Sequence, residues 1–205
     1  MFSATETAKT ALCRPLLLAS GSLYRRDLLA RLGLPFEIAN PEIDESPFAG
    51  ESAAALSERL ALNKARVIAE RYPRTLVIGS DQVCALGENC LSKPGSADGQ
   101  KAMLERLSGQ TVTYHTAVAV VSFEAGLWKQ HRDETRCRFR KLTRPEIDDY
   151  VRREPAADCA GGLKSEGLGI SLLESVESLD PTAIIGLPLI FVAETLRPFV
   201  VVTCR

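Results

Sequence analysis

The segment Ser20-Gly21-Ser22-Leu23-Tyr24-Arg25-Arg26 joins two hydroxyls, a glycine and two arginines where an apolar run gives way to a helical pattern. A strand that turns tightly into a helix N-terminus exposes backbone N–H groups and the positive end of the helix dipole, which favour an anion. Ser20 and Ser22 add hydroxyls, and Arg25 and Arg26 can grip phosphate oxygens in a bidentate fashion. A capped helix with solvated arginines has the same sequence shape, so this segment alone leaves both readings open.

Lys64 is flanked at three and four residues by Leu60, Ala61, Val67 and Ile68. It therefore lies on or beside a buried helical stripe, where an ammonium needs a partner or a ligand unless it snorkels to water. Asp81 follows the apolar run Thr75–Gly79; a carboxylate there can take a proton from water or hold a divalent cation, or simply cap a turn. The loop Pro41–Pro47 carries Glu42, Asp44 and Glu45. Carboxylates beside a phosphate site suit Mg²⁺ or Mn²⁺, although such a loop is also the ordinary form of a solvated surface. Lys93 adds a cation before Pro94. Gly161–Gly169 holds four glycines in nine residues, which permits close backbone approach to a ligand. Within it, Glu166 could accept hydrogen bonds from a base edge, and Tyr24 could stack on a base.

These residues need a scaffold, and the pattern supplies one. Pro15–Ser20, Phe36–Ala39 and Thr75–Gly79 read as strands, and Thr111–Phe123 with Gln130–Arg140 as two antiparallel strands joined around Gly126. Helices are predicted after Ser22 up to Gly33, over Ser52–Tyr72 with Ser52 as cap, over Ala97–Leu107, over Pro145–Arg153 behind a Thr143/Glu146 capping box, and from about Gly186 onward. Strands alternate with helices, so the class is α/β with a mixed sheet. Residues 1–14 lack periodicity and are expected to be a disordered arm before a single domain over 15–205.

Composition narrows the function classes. A formal net charge of -1 argues against a general binder of nucleic acid polymers, so an anionic ligand must be met by locally placed cations. Six cysteines without a Cys-x-x-Cys pair, and only two histidines, argue against structural zinc. No secretory signal is evident, and the apolar run Ile184–Ala193 is too short to span a bilayer. The expectation is a cytoplasmic protein with reduced thiols and no membrane partner.

Taken in order, Leu18-Ala-Ser20-Gly-Ser22-Leu-Tyr24-Arg25-Arg26, Pro41-Glu-Ile-Asp-Glu45, Arg59-Leu-Ala-Leu-Asn-Lys64-Ala, Gly79-Ser-Asp81-Gln82-Val, Lys93-Pro94, Gly162-Leu-Lys-Ser-Glu166-Gly and Gly186-Leu-Pro-Leu189 resemble the Maf family of nucleotide pyrophosphatases. The resemblance covers roughly residues 16–197. It implies an elongated Maf-like (inosine triphosphate pyrophosphatase-like) α/β fold with a central mixed sheet and a cleft between two lobes. It further implies a nucleoside triphosphate substrate, a divalent metal cation (Mg, Mn or Co) and cleavage between the α and β phosphates. By resemblance Asp81 is the catalytic acid–base residue, Glu45 and Asp81 are metal-linked, and Arg25, Arg26, Lys64 and Lys93 bind phosphate with Ser20 and Ser22. Ser80-Asp81-Gln82 and the Lys-Ser-Glu-Gly stretch are similar to the 7-methyl-GTP branch, in which Tyr24, Gln82 and Glu166 occupy specificity positions. N7-methylguanine is cationic, which suits an aromatic face and a carboxylate. The alternatives are the same chemistry on UTP, dTTP or CTP, or a non-catalytic nucleotide-binding regulator of cell division; a homodimer is left open.

Overall fold

The computed structural model describes residues 9–203. The main sheet begins in sequence with β2 (Leu16–Ala19), whose four residues are all buried. It lies parallel to β3 (Glu37–Ile38) on one side and to β4 (Leu76–Leu86) on the other. A parallel strand covered on both faces is why this segment reads as an unbroken apolar run. Beyond β4 the sheet turns antiparallel through β6 (Thr111–Ser122), β7 (Leu127–Phe139) and β8 (Leu173–Glu177), while the short β5 (Asn89–Leu91) pairs back onto β4. The result is the expected mixed α/β sheet, with seven strands.

The pairing of β4 makes the cleft. On its β2 side the register runs from Leu16↔Leu76 to Ala19↔Gly79, and pairing resumes with β5 only at Cys84. Ser80–Val83 therefore lack a strand partner on that side, while β6 continues past them on the other. One lobe has a core that gathers Leu18, Leu28 and Ile78 from before this gap with Val120 and Val192 from after it. A second core, built on Leu104, Tyr114, Phe139 and Ile147, draws only on chain after the gap.

Local signals explain the helices that flank the gap. The Ser22 hydroxyl accepts from the Arg25 N–H and starts α1 (Leu23–Ala30); Ser52 does the same for α2 (Ala53–Arg71) through Ala55 N. Side chains of α2 lie directly over β4, because Gly79 lets the helix backbone at Ala61 and Ala65 come close. In the second lobe α3 (Ala97–Leu107) is capped by Ser96, and α4 (Arg144–Arg153) opens with Glu146 accepting from the Thr143 backbone at 2.8 Å. The last helix, α5 (Leu189–Leu196), begins after Pro188, which serves as its N-cap.

The structure departs from the sequence reading in four places. Of the N-terminal arm, residues 1–8 lie outside the described residues, but Lys9–Leu12 form β1, antiparallel to the terminal β9 (Val200–Thr203). β4 does not stop at Gly79 but runs through Ser80-Asp81-Gln82 to Leu86, so Asp81 is mid-strand. β8 went unread because its outward residues are exposed and its pattern is not alternating. Gly161–Gly169 is not a plain loop: short 3-10 turns occupy Ala160–Gly162 and Leu168–Leu172. Among the described residues no helix is long and apolar enough to cross a membrane.

Candidate active site

Successive residues of a strand face opposite sides, and β4 uses this at the gap. Asp81 faces α2, where the buried Lys64 comes down from the helix to place Nζ 2.6 Å from Asp81 Oδ1. The same Nζ lies 2.6 Å from Oε1 of Glu45, which the acidic loop brings over from the solvent side. Burial raises the Glu45 carboxyl, but the hydrogen bond to Lys64 and the charges of Lys64, Lys93 and Arg25 outweigh it and hold the group below its ordinary value. Lys64 is thus the buried ammonium with a partner, and its partners are both proposed metal carboxylates.

Opposite this pair stands the strand–turn–helix segment. Ser20 is buried, and its Oγ accepts from Ser22 N at 3.2 Å and from Arg25 Nη1 at 3.4 Å. Ser22 Oγ accepts the capping hydrogen bond, so both hydroxyl protons remain available to an anion. Arg25 is aimed by a hydrogen bond from its Nε to Gly186 O at 2.9 Å. Burial lowers its guanidinium from the ordinary value, and Asp81 and Glu45 pull it back up. Ser20, Ser22, Arg25, Lys64, Asp81, Glu45 and Lys93 line one cleft of about 780 Å³. Arg26 stands apart: its guanidinium is exposed and bonded to Asp27 Oδ1 at 2.9 and 3.0 Å, and it does not line the cleft.

A smaller pocket of about 110 Å³ opens from the same cleft and brings Tyr24, Gln82 and Glu166 together. Lys164 Nζ sits 5.7 Å from the Tyr24 ring centroid, so the ring face is already presented to a cation. Asp158 lines both the cleft and the pocket, and sequence reading missed it. The available signal was a carboxylate just ahead of the glycine-rich stretch. Cys159, beside it, has its thiol pushed up to about 11 by burial, which suits no nucleophile. A larger hollow of about 880 Å³ beside β1 and β3 is lined mostly by apolar side chains and backbone, and holds no converging set of charges.

The donor chemistry is compatible with a hard divalent cation. Lys64 engages one oxygen each of Asp81 and Glu45, and among the described residues the second oxygen of each accepts no protein hydrogen bond. No group of three or more His, Cys, Asp or Glu side chains is placed to hold a metal among those residues. A cation here would take its remaining ligands from water and phosphate oxygens, as Mg²⁺ commonly does.

Fixed cations facing ionised carboxylates suit attack on a phosphoanhydride, and the side pocket suits the base to which such phosphates are attached. The class that this fold and cleft define is a nucleotide pyrophosphatase, a hydrolase. A family profile described as Maf-like protein matches residues 15–199, and the chain belongs to that family. It is 52% identical over 188 residues to a protein of Polaromonas sp. named 7-methyl-GTP pyrophosphatase, covering 92% of this chain and 86% of the relative. Proteins of the same name from Cupriavidus pinatubonensis and Xanthomonas oryzae pv. oryzae are each 50% identical over 182 residues, covering 89% of this chain and 92% and 95% of theirs.

Proposed function

We propose that this chain hydrolyses 7-methyl-GTP between the α and β phosphates, giving 7-methyl-GMP and pyrophosphate, and so removes a modified nucleotide. The observation that carries the reading is Asp81, which gives one oxygen to Lys64 and keeps the other free in a cleft whose opposite wall is Arg25, Ser20 and Ser22. The free oxygen accepts a proton from water as the water attacks the α-phosphorus. Arg25 and Lys93 bind the phosphate oxygens, and their charge matters most when the pyrophosphate leaves. Ser20 and Ser22 donate hydroxyl hydrogen bonds to the same chain of oxygens. Asp81 and Glu45 would hold a divalent cation, Mg, Mn or Co, which when bound offsets phosphate charge and acidifies water. Tyr24 stacks on the base, and Glu166 and Gln82 meet its edge. The free thiols of Cys13, Cys84, Cys90, Cys137 and Cys159 accord with a cytoplasmic protein.

The test is pyrophosphate release with Mg²⁺ from 7-methyl-GTP, GTP, UTP, dTTP and CTP, with Asp81→Asn as control. Release from 7-methyl-GTP far above the others, lost in the variant, supports the reading. Preference for UTP, dTTP or CTP overturns the base assignment and keeps the chemistry. Orthophosphate instead of pyrophosphate, or binding without turnover, overturns the chemistry.

A further inference from the structure

Gln82 faces the side of β4 opposite Asp81, and its amide nitrogen is fully committed. Nε2 lies 3.0 Å from Thr116 Oγ1, 3.0 Å from Ala183 O and 2.9 Å from Ile184 O. Which end of an amide is nitrogen must usually be inferred from its surroundings, and here they decide it. Two of the three neighbours are backbone carbonyls, which only accept. The third is a hydroxyl whose proton goes to Ala183 O at 2.9 Å, so towards Gln82 it also acts as an acceptor. Turning the amide over would set its carbonyl against three acceptor oxygens. Gln82 Oε1 accepts nothing among the described residues, is not among the buried unsatisfied atoms, and belongs to a side chain that lines the small pocket.

We infer that Gln82 reads the base with its carbonyl oxygen alone, and that buried Thr116, paired with it across β4 and β6, is a positioning residue that holds it so together with the carbonyls of Ala183 and Ile184. This rests on the reading of the cleft as a nucleotide site. With the Glu166 carboxylate on the same pocket, the base end then offers acceptors, and the substrate it fits is a base whose edge carries adjacent N–H donors. The N1–H and 2-amino group of a guanine make that edge. Cytosine presents an acceptor nitrogen there, and uracil or thymine a single N–H between two carbonyls. A buried or pocket-facing acceptor left without its donor costs far more than a missing apolar contact, so such a site rejects as well as selects.

The experiment compares kcat/KM for pyrophosphate release from 7-methyl-GTP, 7-methyl-ITP (no 2-amino group) and 1,7-dimethyl-GTP (no N1–H). The enzymes are the wild type, Gln82→Met, Thr116→Val and Thr116→Ser. Wild type should lose about 10- to 100-fold on at least one donor-deleted substrate. Gln82→Met should reduce that ratio at least threefold, Thr116→Val should narrow it, and Thr116→Ser, which keeps the hydroxyl, should restore it. A ratio unchanged in Gln82→Met overturns the base reading; a ratio narrowed there but unchanged in Thr116→Val overturns the role of Thr116. Wild type releasing pyrophosphate equally from all three also overturns the inference, whereas release from none of the nucleotides overturns the underlying function instead.

Discussion

The Lys64 ammonium, descending from α2, meets the Asp81 carboxylate of β4 at 2.6 Å, with both groups buried. Glu45, which touches the same nitrogen, is more than half exposed. Coulomb attraction in such a place is strong, but so is the desolvation it must offset, and removing one partner leaves the other charge buried alone. Lys64→Met should therefore destabilise the fold by about 3–5 kcal/mol. Pyrophosphate release should fall by about 100-fold or more, because Asp81 and Glu45 lose the cation that holds them. Thermal melts and kcat measured on the same preparation check this; a variant as stable and active as wild type would mean that the pair is ornamental.

A second ion pair sets where Glu45 sits. Arg59 donates from Nε and Nη2 to Glu51 at 2.6 and 2.8 Å, and from Nη2 to Ser46 O, next to Glu45, at 2.9 Å. The hydrogen bonds from Arg59 are the main reason that the Glu51 carboxyl falls from 4.5 to about 2 against the opposing effect of burial. A carboxyl lowered on folding contributes stability that is full above 4.5 and is lost as the pH falls through about 2. Glu51→Gln should thus be less stable than wild type at neutral pH, and the difference in urea midpoints should shrink as acid is added from 4.5 towards 2. A difference that stays constant over that range would assign the contact to packing, not charge.

The sequence shows these relationships unevenly. Helical spacing alone placed Lys64 on a buried stripe, and the rule that a buried ammonium needs a partner held. Its partner could not be named from spacing, since Asp81 lies 17 residues away and is met only when α2 packs on β4. The polar trio Ser80-Asp81-Gln82 reads as the end of a strand because it interrupts an apolar run. In the fold it is the stretch where β4 lacks a neighbour, so Asp81 and Gln82 line the cleft while the backbone stays extended and Ser80 is buried against the carbonyls of Ala117 and Gly186. Least legible are the groups that orient Gln82 and Arg25: the carbonyls of Ala183, Ile184 and Gly186, about a hundred residues or more away in sequence and without any side-chain signature.

At Gly79 the backbone of α2 comes close against β4. A Cβ added there would collide with Ala61 O and Ala65 N, both backbone atoms that cannot move aside without moving the helix. Gly79 has no positive φ, so the requirement is for space and not for an unusual conformation. Gly79→Ala should cost about 1–3 kcal/mol or more as an overpacked core does. It should also depress kcat, because the helix it displaces carries Lys64. A loss of stability with unchanged kcat would show that the cleft tolerates a shift of α2.

Adjacent arginines at the start of α1 have different fates, and this gives the sharpest contrast in the site. Arg25 turns inward: Gly186 O holds its Nε at 2.9 Å, Ser20 Oγ meets Nη1, and its remaining N–H groups face the cleft that Asp81 and Glu45 share. Arg26 turns outward to Asp27 and solvent. Family resemblance assigns both to the phosphates, whereas of the two only Arg25 lines the cleft. A charge-assisted hydrogen bond is worth about 1.5–3 kcal/mol, so Arg25→Ala should lower kcat/KM by about 10- to 150-fold. Arg26→Ala should change it by less than about threefold, because an exposed pair contributes little. Steady-state pyrophosphate release for the two variants decides the matter: equal losses would mean that substrate draws Arg26 into the cleft, and a loss confined to Arg26 would contradict the inward placement of Arg25.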